Sequence, residues 1–195
     1  MSKAHHRKKH PEAVRQQLLD VALRLSLEKG PASVTLDAVS QAAGVSKGGL
    51  LHYFASKDAL IRAMITAGLD SFEEKTLAMV EADSTPGSYL RAYITTSFPA
   101  EGADDIATAM IAGIATDRDL LADYAVESKK WSSRLKEDGL DYFYAEVIRL
   151  AVDGLYFNEA IGLPQFGPED RKVFLRRLVD MTRARIGADD RDSDQ

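Results

Sequence analysis

Cysteine is absent from the 195 residues, tryptophan occurs once, and three of the four histidines fall in the stretch HHRKKH at residues 5–10. Without cysteine there are no disulfides and no thiolate metal sites, and a reducing compartment is the natural setting. No apolar run approaches the roughly 20 residues that cross a bilayer as a helix. The first ten residues, MSKAHHRKKH, are polar and basic and lack the apolar stretch of a secretory signal. A cytoplasmic protein with no membrane partner is therefore expected. Also missing are a P-loop, a dinucleotide fingerprint, a serine nucleophile elbow and helically paired histidines. The tail histidines have neither a fixed scaffold nor a carboxylate partner, so they do not make a metal site. No metal, no cofactor and no enzymatic activity are expected. Internal repeats, low-complexity segments and strand-like alternation are absent too. Helical periodicity prevails, and the expected fold class is all-α.

The net charge of −5 conceals an asymmetry. Up to Lys57 there are nine Lys and Arg against four Asp and Glu; from Asp58 onward there are sixteen against twenty-six. A basic head on an acidic body implies that only the head faces a polyanion.

The first helix is expected to start at Pro11, a residue suited to the first helical position. Val14, Leu18, Val21, Ala22 and Leu25 share one of its faces, and Gly30-Pro31 stops it. A short helix over Leu36–Ala43 follows, with Thr35 as N-cap and Asp37 in its first turn. After a turn at Gly44-Val45, Ser46 caps a third helix that carries Lys47 to Phe54. A fourth begins after Ser56 and runs to about Glu81, with Leu60, Ile61, Met64, Ile65, Phe72 and Met79 as candidate buried positions. The body reads as further helices between Pro86 and Phe98, Asp104 and Ala115, Leu120 and Asp138, Leu140 and Ile161, and after Gly167-Pro168. The Leu140–Ile161 helix is apolar nearly all round, so cover on several sides is expected.

Two short helices joined by a glycine-containing turn make a helix-turn-helix, here TLDAVSQAAGVSKGGLLHYF, Thr35 to Phe54. Leu36, Val39, Ala43, Val45 and Leu50 can form its small core. Lys47, Gly48 and Gly49 open the second helix, where a recognition helix meets base edges. Two glycines are costly in a helix unless something must approach closely, and DNA is such a partner. Lys47 can reach guanine acceptors or phosphate, His52 and Tyr53 can donate to phosphate, and Leu51 can touch a thymine methyl. Lys57 lies in the first turn of the fourth helix, beside amides that point at a phosphate.

This segment resembles the DNA-binding domain of the TetR family of repressors over roughly residues 11 to 65. The family's ordered elements correspond to Gly30, Thr35, Val45-Ser46, Leu50 to Phe54, and Ser56-Lys57-Asp58-Ala59-Leu60. One departure is Leu51, where the family usually carries tyrosine, which shifts weight to His52 and Tyr53. The resemblance implies DNA contacts at Thr35, Ser46, Lys47, Gly48, Gly49, Leu51, His52, Tyr53 and Lys57, with Leu50 and Phe54 packing the motif. Residues 5–10 can add phosphate or minor-groove contacts, or remain a solvated tail.

The resemblance further implies a body that binds a small organic effector and pairs with a second copy. The expected organisation is a basic tail at 1–10, a DNA-binding domain at 11–57, an effector and dimerisation domain at 58–187, and an acidic tail at 188–195. For the interface, Leu155, Phe174, Leu178 and Met181 are candidates. For the pocket, aromatic residues and methionine with a few polar groups suit an organic ligand: Phe72, Tyr93, Phe98, Met110, Tyr124, Trp131, Phe143, Asp153, Tyr156 and Phe157. Asp153, in RLAVDGLYF, is a charge within the most apolar helix. Either it meets a cationic, lipophilic ligand, or it pairs with Arg149 one turn earlier or caps a neighbouring helix. The functional expectation is a repressor released from a pseudo-palindromic operator by its effector. The alternative is a helical architectural or protein-interaction module with only non-specific affinity for duplex DNA.

Overall fold

The computed structural model describes residues 11–98 and 118–183. Among these there is no strand, and the expected all-α class holds. The helices are α1 (Pro11–Lys29), α2 (Leu36–Ala43), α3 (Lys47–Leu51), α4 (Lys57–Glu81), α5 (Ser88–Ser97), α6 (Arg118–Glu137), α7 (Tyr142–Ala160) and α8 (Pro168–Met181), with a 3-10 turn at Pro31–Ser33. The tails at 1–10 and 188–195, the expected 104–115 helix and Met110 lie outside the described residues.

The chain divides into two compact units, and the division in α4 falls between Gly68 and Leu69. The first unit runs eleven residues past Lys57, the expected domain end. The cause is packing: Leu60 and Met64, one turn apart on α4, are buried in the same core as Leu18, Ala22, Val34, Val39, Leu50 and Phe54. Full burial of a leucine or phenylalanine contributes about 1.5–3 kcal/mol. Gly30 and the 3-10 turn bring the chain back from α1 to α2. Gly30 takes φ 80°, and the Ser33 hydroxyl donates to the Leu25 and Gly30 carbonyls at 2.9 and 2.6 Å.

The second unit is centred on α5, against which α6, α7 and α8 all pack. Tyr89, Leu90, Tyr93 and Ile94 of α5 meet Trp131 and Leu135 of α6, Ala145, Ile148, Val152 and Leu155 of α7, and Leu178 of α8. Polar bonds hold both ends of this arrangement. The Asp138 carboxylate accepts from the amides of Tyr89 and Leu90 at 2.7 and 2.9 Å, satisfying the first turn of α5. Arg91, buried, donates to the Asp83 carboxylate, the Thr85 and Pro86 carbonyls and the Thr182 hydroxyl. Gly87 fits where no other residue would: its φ is 83°, and a Cβ would lie 2.8 Å from both the Thr182 carbonyl oxygen and Arg91 Nη1.

Two packing expectations are corrected. Met79 is exposed, because the buried side of α4 at that depth is taken by Leu77 and Val80. The α7 helix is covered on one side only. Phe143, Val147 and Leu150 are exposed at 76, 63 and 58%, while Ala145, Ile148, Val152 and Leu155 form the inner stripe. Its apolar outer face belongs to a surface, and the described chain itself does not cover it.

Candidate nucleic-acid interface and effector core

In the first unit, three hydroxyl caps set the helix-turn-helix. Thr35 Oγ1 accepts from the Ala38 amide at 3.1 Å, Ser46 Oγ from Gly49 at 3.0 Å and Ser56 Oγ from Ala59 at 3.0 Å. Gly44, at φ 68°, closes α2 with its amide on the Gln41 carbonyl, the left-handed terminus that glycine adopts without steric cost. The turn therefore places α3 by local bonds, and Leu50 and Phe54 anchor it in the core. The Arg15 guanidinium covers the Phe54 ring at 5.5 Å.

This anchoring leaves Thr35, Ser46, Lys47, Gly48, Gly49, Leu51, His52 and Lys57 exposed, and Tyr53 half-buried. All nine expected contact residues are thus within reach of an external partner, while the two expected packing residues are not. Regular helix ends at Leu51 rather than Phe54. His52 and Tyr53 form a turn that still returns the Phe54 amide to the Leu50 carbonyl at 3.0 Å, because Phe54 must bend inward to reach the core. His52 and Tyr53 stand edge to face with ring centres 5.4 Å apart. A Cβ on Gly48 would meet nothing within 4 Å, and one on Gly49 only Ser46 Oγ at 3.2 Å. Among the described residues, no neighbour explains Gly48. Asp37, expected only in the first turn of α2, also holds Lys47 Nζ with its carboxylate at 2.9 Å. Ten residues separate the two, and only the turn brings them together.

In the second unit, Phe72, Tyr93, Tyr124 and Trp131 form one ring cluster. Trp131 lies 5.5 Å from Phe72, 5.6 Å from Tyr93 and 5.7 Å from Tyr124, and Phe72 lies 5.2 Å from Tyr93. Trp131 is 4% exposed, and its indole Nε1 has no hydrogen-bond partner among the described residues. Asp153 joins the cluster through the Tyr93 hydroxyl, which donates to Oδ1 at 2.5 Å, while Arg149 donates to Oδ2 at 2.6 Å. The Arg149 alternative for Asp153 is thus realised, together with a tyrosine sixty residues away. Glu146 takes the other side of Arg149 at 2.7 Å. Its spacing, three and seven residues before Arg149 and Asp153, was available in the sequence as a one-faced helical array.

Burial raises the Asp153 carboxyl above its ordinary value, against the Tyr93 hydrogen bond and the Arg149 charge. Burial and then Asp153 push the Tyr93 and Tyr124 hydroxyls up, so both are protonated donors at neutral pH. Burial also works against the Arg149 cation, yet the bond to Glu146 and the charge of Asp153 carry it above its ordinary value. For Glu146 burial is likewise outweighed, here by bonds from Ser132 and Arg149, and its carboxyl is lowered.

The other expected pocket residues lie elsewhere. Phe98 is buried under the Arg171 guanidinium at 4.7 Å, with Tyr156 beside it. Phe143 and Phe157, the latter 50% exposed, are on the outer side of α7 rather than in the ring cluster. Among the expected interface residues, Leu155 and Leu178 face the interior of this unit, Phe174 is half-buried and stacks near Phe166, and Met181 is at the surface. The described residues hold no group of three or more His, Cys, Asp or Glu placed for a metal, and no helix long and apolar enough to cross a membrane.

Comparison with known proteins gives the same two parts. Residues 18–64 match the model described as bacterial regulatory proteins, tetR family, and residues 87–183 match the tetracyclin repressor-like C-terminal domain. The chain is 36% identical over 87 residues to the HTH-type transcriptional regulator BetI of Rhizobium meliloti, 45% of this chain and 43% of that protein. It is 32% identical over 96 residues to the HTH-type transcriptional repressor KstR2 of Rhodococcus jostii, 49% of this chain and 47% of that one. Each match spans less than half of the relative's length. A regulator from Saccharomonospora viridis solved with choline superposes with a TM-score of 0.72 at 14% identity, over 87% of this chain and 96% of that one. The glycine-turned helix pair and the helical body built on α5 are matched in that order, one by each model, and the chain belongs to the TetR family of bacterial regulatory proteins.

Proposed function

We propose that this chain is a dimeric, sequence-specific transcriptional repressor, released from a pseudo-palindromic operator by a small organic effector, and not an enzyme. The observation that carries the proposal is the outward face of α3. Lys47, Gly48, Gly49, Leu51 and His52 are exposed on a helix pinned from behind by Leu50 and Phe54. A helix so held presents its N-terminal side chains to the major groove, where Lys47 reads guanine acceptors and Ser46, Tyr53 and Lys57 contact phosphates. The basic balance of the first 57 residues supplies the non-specific attraction. Regulator and repressor are also what BetI and KstR2 are called, and the choline-bound neighbour supports an organic effector in the body.

Support for the dimer is the outer stripe of α7: Phe143, Val147, Leu150, Gly154, Phe157 and Ile161 recur at helical spacing on one exposed face. Such a patch is expensive to leave in water. A second copy covers it, with Leu155 and Leu178 backing it from inside. Two copies place their α3 helices about 34 Å apart, one turn of DNA. The effector favours a conformer in which that spacing fails; coupling of about 1–3 kcal/mol weakens binding roughly 5–150-fold. α4, which carries residues of both units, is the proposed route.

The test is selection of bound fragments from genomic DNA, followed by titration of the selected duplex at several salt concentrations. Sequence-selective binding that Lys47→Ala weakens by about tenfold or more is expected. Equal binding to every duplex would favour the architectural alternative and refute the proposal.

A further inference from the structure

The ring cluster of the second unit has chemistry that restricts which effector it can take. Its ring pairs are tilted or edge to face, so the electron-poor edge of one ring lies toward the electron-rich face of another. A diffuse organic cation offers those faces the same complement as a ring edge and can take its place. Beside the rings, Glu146, Arg149 and Asp153 make an array of two carboxylates and one guanidinium, which carries one net negative charge. Arg149 is closed off at 8% exposure, whereas Asp153 keeps 24% of its side chain open. The charge that remains reachable is therefore the negative one. Trp131 Nε1, buried and without a partner among the described residues, adds a donor for a ligand oxygen. A buried donor with no partner is costly until something accepts from it.

We propose that Phe72, Tyr93, Tyr124 and Trp131, with the Glu146–Arg149–Asp153 array, form the effector site and that it selects small organic cations, such as quaternary ammonium compounds bearing an acceptor oxygen. This rests on the reading of the chain as an effector-released repressor, and supplies the effector's class. Compact, strongly hydrated metal ions do not suit the site, because Arg149 and the Tyr93 hydroxyl already hold its carboxylates and the rings offer faces rather than oxygen ligands. An anionic effector meets the uncompensated carboxylate. The rings touch one another, so the cation enters by spreading them. Phe72 is then displaced on α4, the helix that continues into the reading unit, which gives binding a mechanical consequence.

The single tryptophan of the chain lies in the proposed site, so its emission reports occupancy. The wild-type chain is titrated with choline, benzyltrimethylammonium and tetraphenylphosphonium, and with 3,3-dimethylbutan-1-ol, the uncharged isostere of choline. At least one cation is expected to change the emission saturably, at a concentration roughly tenfold or more below that required of the isostere. Asp153→Asn and, independently, Glu146→Gln each remove the net charge and are expected to weaken the cation by about tenfold while leaving the isostere's weak response unchanged. If either variant fails to melt cooperatively, the wild-type comparison of cation with isostere decides alone. A response to no cation in the panel, or an equal response to charged and uncharged compounds, overturns the proposal. Operator binding of the wild-type chain is measured separately without any cation. Its failure sinks the repressor reading, whereas selective operator binding that no cation alters sinks only the cation assignment.

Discussion

Gly48 separates stability from function in a single substitution. It is the second residue of α3, has an ordinary helical φ, and a Cβ built there meets nothing within 4 Å. In the free protein Gly48→Ala therefore costs no contact and removes a flexible residue from a helix, a gain of about 0.5–1 kcal/mol. For a chain of this size that raises the melting midpoint by about 1–4 °C. On DNA the same methyl projects from the reading face into the space a base edge or phosphate would occupy. Losing one close recognition contact costs about 1–3 kcal/mol, or roughly 5–150-fold in affinity. Gly49→Ala is the internal comparison. Its methyl lies 3.2 Å from Ser46 Oγ, the atom that caps the Gly49 amide, so the propensity gain is offset by a strained cap and stability changes little. Thermal melting and fluorescence anisotropy on the selected operator read both quantities. A stabilised Gly48→Ala variant with unaltered operator affinity would refute the close-approach argument. A destabilised one would mean that the glycine serves the fold instead.

Asp37→Ala frees Lys47 from its ion pair and removes a negative charge from the reading face. Non-specific affinity is expected to rise, and the slope of log affinity against log salt on unrelated duplexes to steepen by about one, as the freed Lys47 joins the phosphate contacts there; an unchanged slope would mean that the pair with Asp37 does not restrain Lys47. Gly87→Ala combines a left-handed backbone with a 2.8 Å collision on the Thr182 carbonyl. A loss of about 2 kcal/mol or more is expected in the urea midpoint, and a loss below 1 kcal/mol would contradict that geometry. The Thr85 hydroxyl and amide, and then Arg91, hold the Asp83 carboxyl at about 2 against an ordinary 3.8. An acid depressed in the folded state stabilises above its unfolded value and loses that contribution as pH falls through the folded one. Asp83→Asn is expected to flatten the stability profile between those two values; a profile parallel to wild type would refute the assignment.

The amino-acid sequence determined what depends on neighbours three or four residues apart. The end of α1 and the start of α2, the Thr35 and Ser46 caps, the left-handed turn at Gly44 and both ends of α4 follow from local hydrogen bonding and side-chain period, and the structure has them within a residue or two. The outward character of Lys47, Gly48, Gly49 and His52 was legible for the same reason: once Leu50 and Phe54 are assigned inward, a helical turn leaves those positions outside. Tertiary packing decided the rest. Periodicity marks α7 as apolar, but which stripe is covered depends on where α5 and α6 lie, and this sends Val152 inward and Phe143 and Val147 outward. The sequence placed a charge at Asp153 and a candidate partner at Arg149. Only the fold brings Tyr93 to the same carboxylate, or Lys47 to Asp37, because contacts between distant segments are set by how whole helices pack and not by the residues beside them.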